Sequence, residues 1–121
     1  MIILKIAIFL SSSAFLYYGI ECLFSQKMKD EFVRFGLKKQ RVLTAYLQLA
    51  GGLGLLLGYF FSPILTFVAA AGLTLLMLLG FAVRIKINDS IPESLPSLIL
   101  ALVNLYIVIS YYQQLNELQI L

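Results

Sequence analysis

Four long apolar runs dominate the pattern along the chain, and none of them alternates with a period of two. They extend from about Ile2 to Phe24, Val42 to Phe61, Pro63 to Val83 and Leu95 to Tyr112. Each is close to the roughly 20 residues that cross a bilayer as a helix. Backbone groups in lipid must bond within their own segment, which makes each run helical. A transmembrane barrel would instead show weaker, alternating segments of about ten residues. The pattern predicts an all-α integral membrane four-helix bundle, forming a single membrane domain over residues 1–121. The first run is longer than the core of a signal peptide, and no small-x-small site follows it. It is expected to remain as the first span.

The polar breaks between the runs set the connections. Ser62-Pro63 joins spans two and three, with Pro63 in the first turn, where its missing N–H costs nothing. That predicts a tight antiparallel hairpin. Arg84 to Glu93 forms a short loop with Asp89-Ser90 and Pro92 as turn formers. The first connection, Ser25 to Arg41, is longer. Within it Met28, Phe32 and Phe35 recur at helical spacing, while Lys29, Asp30, Arg34 and Lys38 take other faces. This predicts a short interfacial helix between spans one and two, stopped near Gly36. It serves either as a docking surface for anionic lipid or an acidic partner, or as a topology signal and anchor capping the bundle. The second reading asks less of it.

Composition narrows the chemistry. The chain is 61% hydrophobic and 12% charged, against about 45–50% and about 25% in soluble domains. A soluble chain of 121 residues has too little interior to hide that surface. There is no histidine and one cysteine, Cys22. That leaves no histidine-ligated haem, no Cys/His zinc site, no disulfide framework within one chain and no His-based acid–base chemistry. Six of the nine basic residues lie in the first connection, as Lys27, Lys29, Arg34, Lys38, Lys39 and Arg41, and Arg84 and Lys86 lie in the other charged loop. The positive-inside rule therefore predicts that both charged loops face the cytoplasm and both termini the opposite side. The expected partners are membrane lipid and a membrane protein, with no nucleic acid.

Polar residues inside spans are costly in lipid and often mark function. Glu21 lies one turn inside the loop-side end of span one, with Tyr17 and Tyr18 a turn deeper. Gln48 lies about two turns into span two, with Tyr46 above it. Arg84 closes span three, and Asn104 lies near the middle of span four beside Tyr106. These groups gather in the loop-side half. They form either a polar cavity open toward the loops, with Asn104 at its floor, or a set of separate contacts. In the second reading Glu21 snorkels and pairs with Arg84, while Gln48 and Asn104 bond neighbouring helices. Tyr17, Tyr18, Tyr111 and Tyr112 fit an aromatic belt near helix ends. Tyr106 is too deep for one. Candidate ligand- or partner-binding residues are thus Glu21, Tyr46, Gln48, Arg84, Asn104 and Tyr106; no metal ligands and no catalytic set emerge.

Small residues mark the close approaches. Span two carries Ala50, Gly51, Gly52, Gly54 and Gly58, with Ala50, Gly54 and Gly58 at a spacing of four. Span three carries Ala69, Ala70, Ala71, Gly72 and Gly80. The simplest packing sets spans two and three together through Ala50, Gly51, Gly54 and Gly58; a homodimer through the same stripe is the alternative. Ser11, Ser12 and Ser13 offer a further close contact, and Cys22 reads as a small packing residue.

The segment Gly19-Ile20-Glu21, the basic loop with Phe32, Phe35 and Gly36, and the run from Tyr46 to Gly58 before a turn at Pro63 lead into alanine-rich and leucine-rich helices. This arrangement resembles the DoxX-like family of small four-helix membrane proteins over nearly the whole chain. Members often carry an acidic residue where Gln48 stands, so a proton-dependent role does not transfer to that position. The resemblance implies a small bundle that accompanies another membrane protein. The family takes its name from a subunit associated with thiosulfate:quinone oxidoreduction, and relatives assist enzyme maturation or receptor assembly. No shared catalytic set carries over, and independent catalysis is not expected. Three functions follow in order. The first is an accessory, assembly or chaperone-like subunit. The second is a quinone- or redox-associated subunit, with quinone or lipid as its ligand and Tyr46, Tyr106 or Gln48 bonding the ring oxygens. The third is a small-molecule transporter, disfavoured because the Glu21 carboxylate sits near a span end rather than deep within it.

Overall fold

A computed structural model describes residues 2–88 and 91–117, with backbone alone at Lys38, Glu93, Asn116 and Glu117. Five helices follow one another: α1 (Ile2–Phe24), α2 (Gln26–Arg34), α3 (Arg41–Phe61), α4 (Pro63–Lys86) and α5 (Ile91–Glu117), with a single 3-10 turn at Lys38–Gln40 before α3. Segments of α1, α3, α4 and α5 are long and apolar enough to cross a membrane, the last over Ser94–Leu115. The molecule is an integral membrane four-helix bundle, with α2 lying across one end. Packing runs in a ring: α1 against α3, α3 against α4, α4 against α5 and α5 back against α1. Short connections make neighbours antiparallel. The turn expected at Asp89-Ser90 lies outside the described residues.

Each spanning helix turns a stripe inward at steps of three and four, the spacing of one helix face. In α1 the stripe is Leu4, Ile8, Ser11, Ser12, Phe15, Gly19 and Cys22; in α3 it is Ala45, Gln48, Gly52, Leu55 and Gly58. The interior is no more apolar than the lipid face. It holds the serines, Gln48, Thr66, Thr74 and Asn104, while Ile2, Leu10, Leu57, Leu79 and Ile109 point outward. Lipid tails are as apolar as leucine, so close packing and interhelical hydrogen bonds, rather than hydrophobic burial, hold such a bundle together.

Both devices are visible. Ser11 Oγ donates to Asn104 Oδ1 at 3.0 Å, tying α1 to α5, and Ser12 Oγ donates to the Gly52 carbonyl at 2.9 Å, tying α1 to α3. Bonds of this kind are worth about 0.6 kcal/mol on average and up to about 1.7 kcal/mol. At the α3–α4 hairpin the backbones nearly touch: a Cβ added at Gly58 would lie 2.9 Å from Thr66 Cα. One at Gly51 would lie 2.6 Å from Leu73 Cγ, and one at Gly54 3.0 Å from Ala69 Cβ. Ala50, at the edge of the same helix, stays exposed. Ser62 ends α3, its N–H donating to the Gly58 carbonyl at 2.9 Å, and also caps α4, accepting from the Leu65 N–H at 3.4 Å. Pro63 occupies the first turn of α4.

The loop end is built differently. Ser25 caps α2 by accepting from the Met28 N–H. Gly36 ends it with φ +74°, and its N–H and that of Leu37 reach the carbonyls of Val33 and Phe32 at 3.0 and 2.9 Å. This is the paired closing motif that a glycine in the left-handed region permits. Phe32 then buries against Cys22 and Ala45, with Met28, Phe35 and Leu37 around them. Arg41 locks the junction: one guanidinium nitrogen donates to the carbonyls of Cys22 and Leu23, both at 2.8 Å. A cation at the C-terminus of α1 satisfies its last carbonyls and opposes the negative end of the helix dipole. The short helix seats its apolar face on the bundle, the arrangement of an anchoring cap.

Candidate functional site

Beneath α2 the helices separate enough to leave a cleft of about 250 Å³. Tyr18 and Glu21 reach it from α1, and Lys27, Met28 and Glu31 from α2. Gln48 forms part of its wall from α3, Met77 and Arg84 from α4, and Pro96, Ser97 and Leu100 from α5. Pro96 stands inside α5 without an N–H, so the Pro92 carbonyl one turn earlier lacks its usual intrahelical donor. A second hollow of about 260 Å³ shares Met28, Gln48, Met77, Arg84 and Ser97 with the first. It runs between α2 and α4 along Phe32, Phe35, Leu76, Leu79 and Val83. The cleft therefore has a charged mouth and an apolar arm, with Gln48 where the two meet.

The charges are arranged by α2. Arg84 Nη1 lies 3.6 Å from Glu31 Oε2, and its guanidinium stacks 4.9 Å from the centre of the Phe35 ring. Arg34 shares the same Glu31 oxygen. The sequence offered Glu21 as a partner of Arg84 in one of its two readings; the structure pairs Arg84 with Glu31 and places Glu21 at the cleft wall. The reason is the seat of α2, which lays Glu31 between the bundle and its own Arg34. Glu21 is half-buried at the cleft wall. Glu31 was missed at the sequence level, although a signal was present. It falls at i+3 from Met28, beside Phe32 and one turn before Phe35, so a carboxylate occupies the apolar face of α2.

Gln48 is 8% exposed, and its Oε1 has no hydrogen-bond partner among the described residues. A buried amide oxygen left without a donor costs about 1–3 kcal/mol, so this atom adds nothing to the stability of the bundle.

The remaining candidates lie elsewhere. Asn104 is fully buried but lines neither hollow. Its Oδ1 takes the Ser11 hydroxyl and its Nδ2 donates to the Leu100 carbonyl at 2.8 Å, so it is a satisfied bridge between helices rather than a cavity floor. Tyr46 and Tyr106 point away from the bundle axis and are 59% and 39% exposed, outside the cleft. Tyr111, expected in the aromatic belt, is buried in the core. In each case depth along a helix was readable and rotation about its axis was not.

Among the described residues no cluster of three or more His, Cys, Asp or Glu could hold a metal ion. What the cleft offers is hydrogen bonding and a mixed-charge rim of Glu21, Glu31, Lys27 and Arg84, next to an apolar slot.

A second surface concerns the membrane face. Between α3 and α4 runs a shallow groove of about 300 Å³, floored by Gly51, Gly54, Ala69 and Leu73 and edged by Ala50, Gly72 and leucines. Gly51 and Gly54 are already used by the contact of α3 with α4. Gly72 is not: a Cβ there would meet nothing within 4 Å.

The model of the DoxX-like family covers residues 2–106. No curated protein and no solved structure matches the chain. With a four-span bundle, one end capped by α2 and a family match over most of its length, the chain belongs to the DoxX-like family of membrane proteins.

Proposed function

We propose that this protein is an accessory or assembly subunit for another membrane protein and that it receives a partner helix in the α3–α4 groove. The supporting observation is Gly72. Glycine costs a helix interior about 1 kcal/mol relative to alanine, and among the described residues nothing lies within 4 Å of where a Cβ would stand at this position. Together with exposed Ala50, it keeps a lipid-facing surface low enough for another helix to approach closely. On this reading the charged loop end, with α2, faces the cytoplasm, following its excess of lysine and arginine.

Native mass spectrometry of protein extracted gently from its own membranes tests the proposal. A stoichiometric second protein is expected with the wild type. Gly72→Leu and Ala50→Leu fill the groove and are expected to release it while leaving the bundle's melting temperature unchanged. Extraction of the chain alone, self-association only, or a complex indifferent to both substitutions would overturn the reading.

A further inference from the structure

Anchoring uses only the inward face of α2, and the cations around its other faces are left without a task. We propose that α2 and the turn before α3 form a docking surface for anionic phospholipid headgroups, which it selects over zwitterionic ones. The surface is separate from the α3–α4 groove, so the proposal does not depend on the accessory role.

α1 ends at Phe24 and α3 begins at Arg41, and both helices are long and apolar enough to span. The segment between them is held against the bundle by Phe32 and by the Arg41 guanidinium. It therefore sits where the hydrocarbon ends and the headgroups begin. Exposed Phe24 and Leu43 mark that boundary, one closing α1 and one in the first turn of α3. Lys27 follows Phe24 by three residues, and Lys39 precedes Leu43 by four.

Ser25 to Arg41 holds six cations and two carboxylates, Asp30 and Glu31. The structure divides them. Glu31 is taken by Arg34 and Arg84, and Arg41 is turned onto the carbonyls of Cys22 and Leu23. Asp30 accepts from the Gln26 side-chain amide at 3.0 Å. Lys27, Lys29 and Lys39 remain exposed, and none of them pairs with a carboxylate among the described residues.

A lysine stem lies along apolar surface while its ammonium reaches the polar layer. A phospholipid supplies both partners at once, phosphate for the ammonium groups and hydrocarbon for Phe24 and Leu43. Its net charge decides the preference. In a zwitterionic head the lipid's own ammonium opposes the lysines, whereas an anionic head keeps its full attraction. One lysine near an anionic surface is worth about a fivefold preference.

The experiment places the full chain in nanodiscs holding equal amounts of dioleoyl phosphatidylglycerol and dioleoyl phosphatidylcholine, so that only the headgroups differ. Both leaflets carry both lipids, which removes any effect of orientation. Native mass spectrometry counts the lipids that stay on the chain. Phosphatidylglycerol is expected to be enriched about fivefold on the wild type, and a wash in about 1 M ammonium acetate, where screening acts within about 3 Å, should remove the enrichment. The combined Lys27→Gln, Lys29→Gln and Lys39→Gln variant should retain the two lipids equally. These side chains are exposed, so the variant is expected to keep Cys22 shielded from a maleimide dye, as in the wild type. Lys5→Gln, at the other end of α1, should bind as the wild type does. The proposal fails if the wild type shows no preference, if the preference survives the wash or the triple substitution, or if Lys5→Gln removes as much of it. Displacement of phosphatidylglycerol by added polyglutamate would assign the surface to an acidic protein segment and overturn it too.

Discussion

The two ends of the bundle close in opposite ways. At the hairpin end α3 and α4 meet backbone to backbone across Gly58 and Thr66, and a cluster of rings seals the outside, with Phe9 5.2 Å from Tyr59 and 6.3 Å from Phe60. At the loop end the helices stand apart, and the gap is covered by α2, a nine-residue helix bearing charges on three sides. The first end spends small residues on contact. The second spends polar residues on a space. Contact and open space are thus divided along the bundle: one end brings the helices together, and the other leaves a cleft between them.

The strongest way to break the comparison is to force the sealed end open. Gly58→Leu drives a side chain into the Thr66 backbone and is expected to cost about 3 kcal/mol or more, enough to lose most folded protein. The single buried thiol, Cys22, supplies the readout: its reaction with a maleimide dye during heating reports unfolding. Next comes the middle of the bundle. Asn104→Leu leaves the Ser11 hydroxyl without its acceptor, and a loss of about 1–2 kcal/mol is expected in the same assay. Indifference to this change would mean that the α1–α5 bridge is ornamental.

At the open end the effects shrink. Gly36→Ala places a Cβ at φ +74° and is expected to cost about 1 kcal/mol. That cost should show as faster labelling of Cys22 at constant temperature, since Phe32 of α2 covers the thiol. The smallest effect sharpens the contrast most. Gln48→Met removes an unpartnered polar atom rather than a bond, so stability should stay within about 0.5 kcal/mol of the wild type or rise slightly. A large loss there would show that Gln48 holds the bundle together, as Asn104 does.

These particulars also show what was legible in the chain. The spans, the hairpin at Pro63 and the stop at Gly36 could be read because each depends on neighbours within a few residues. The pairing of Arg84 with Glu31, rather than Glu21, depends on where α2 lands, which no local pattern states. Ser11 and Asn104 are 93 residues apart, and nothing in either neighbourhood names the other. The outward turn of Tyr46 and Tyr106 and the inward turn of Tyr111 share one cause. A spanning helix is apolar all round, so hydropathy gives its depth but leaves its rotation open. In a soluble helix the polar side would have settled that rotation. Here the clues were size and hydrogen-bonding capacity, which pointed to Ser11, Ser12 and Gly58 in the interior but also to Ser13, which is exposed.

Ser62 closes α3 and opens α4 with no residue to spare between them. The two helices therefore share one reading frame. A single inserted residue would advance α4 by about 100° around its axis, carrying Ala70 and Met77 out toward lipid and bringing Ala69 and Leu76 into their places. The connection from Ser25 to Arg41 carries no such phase, because α2 and a separate turn absorb changes in length before α3 begins. Within this fold, length variation belongs in one joint and is excluded from the other. A chain lengthened by one residue at the hairpin would therefore remain equally hydrophobic and equally able to enter a membrane, yet would no longer assemble this bundle.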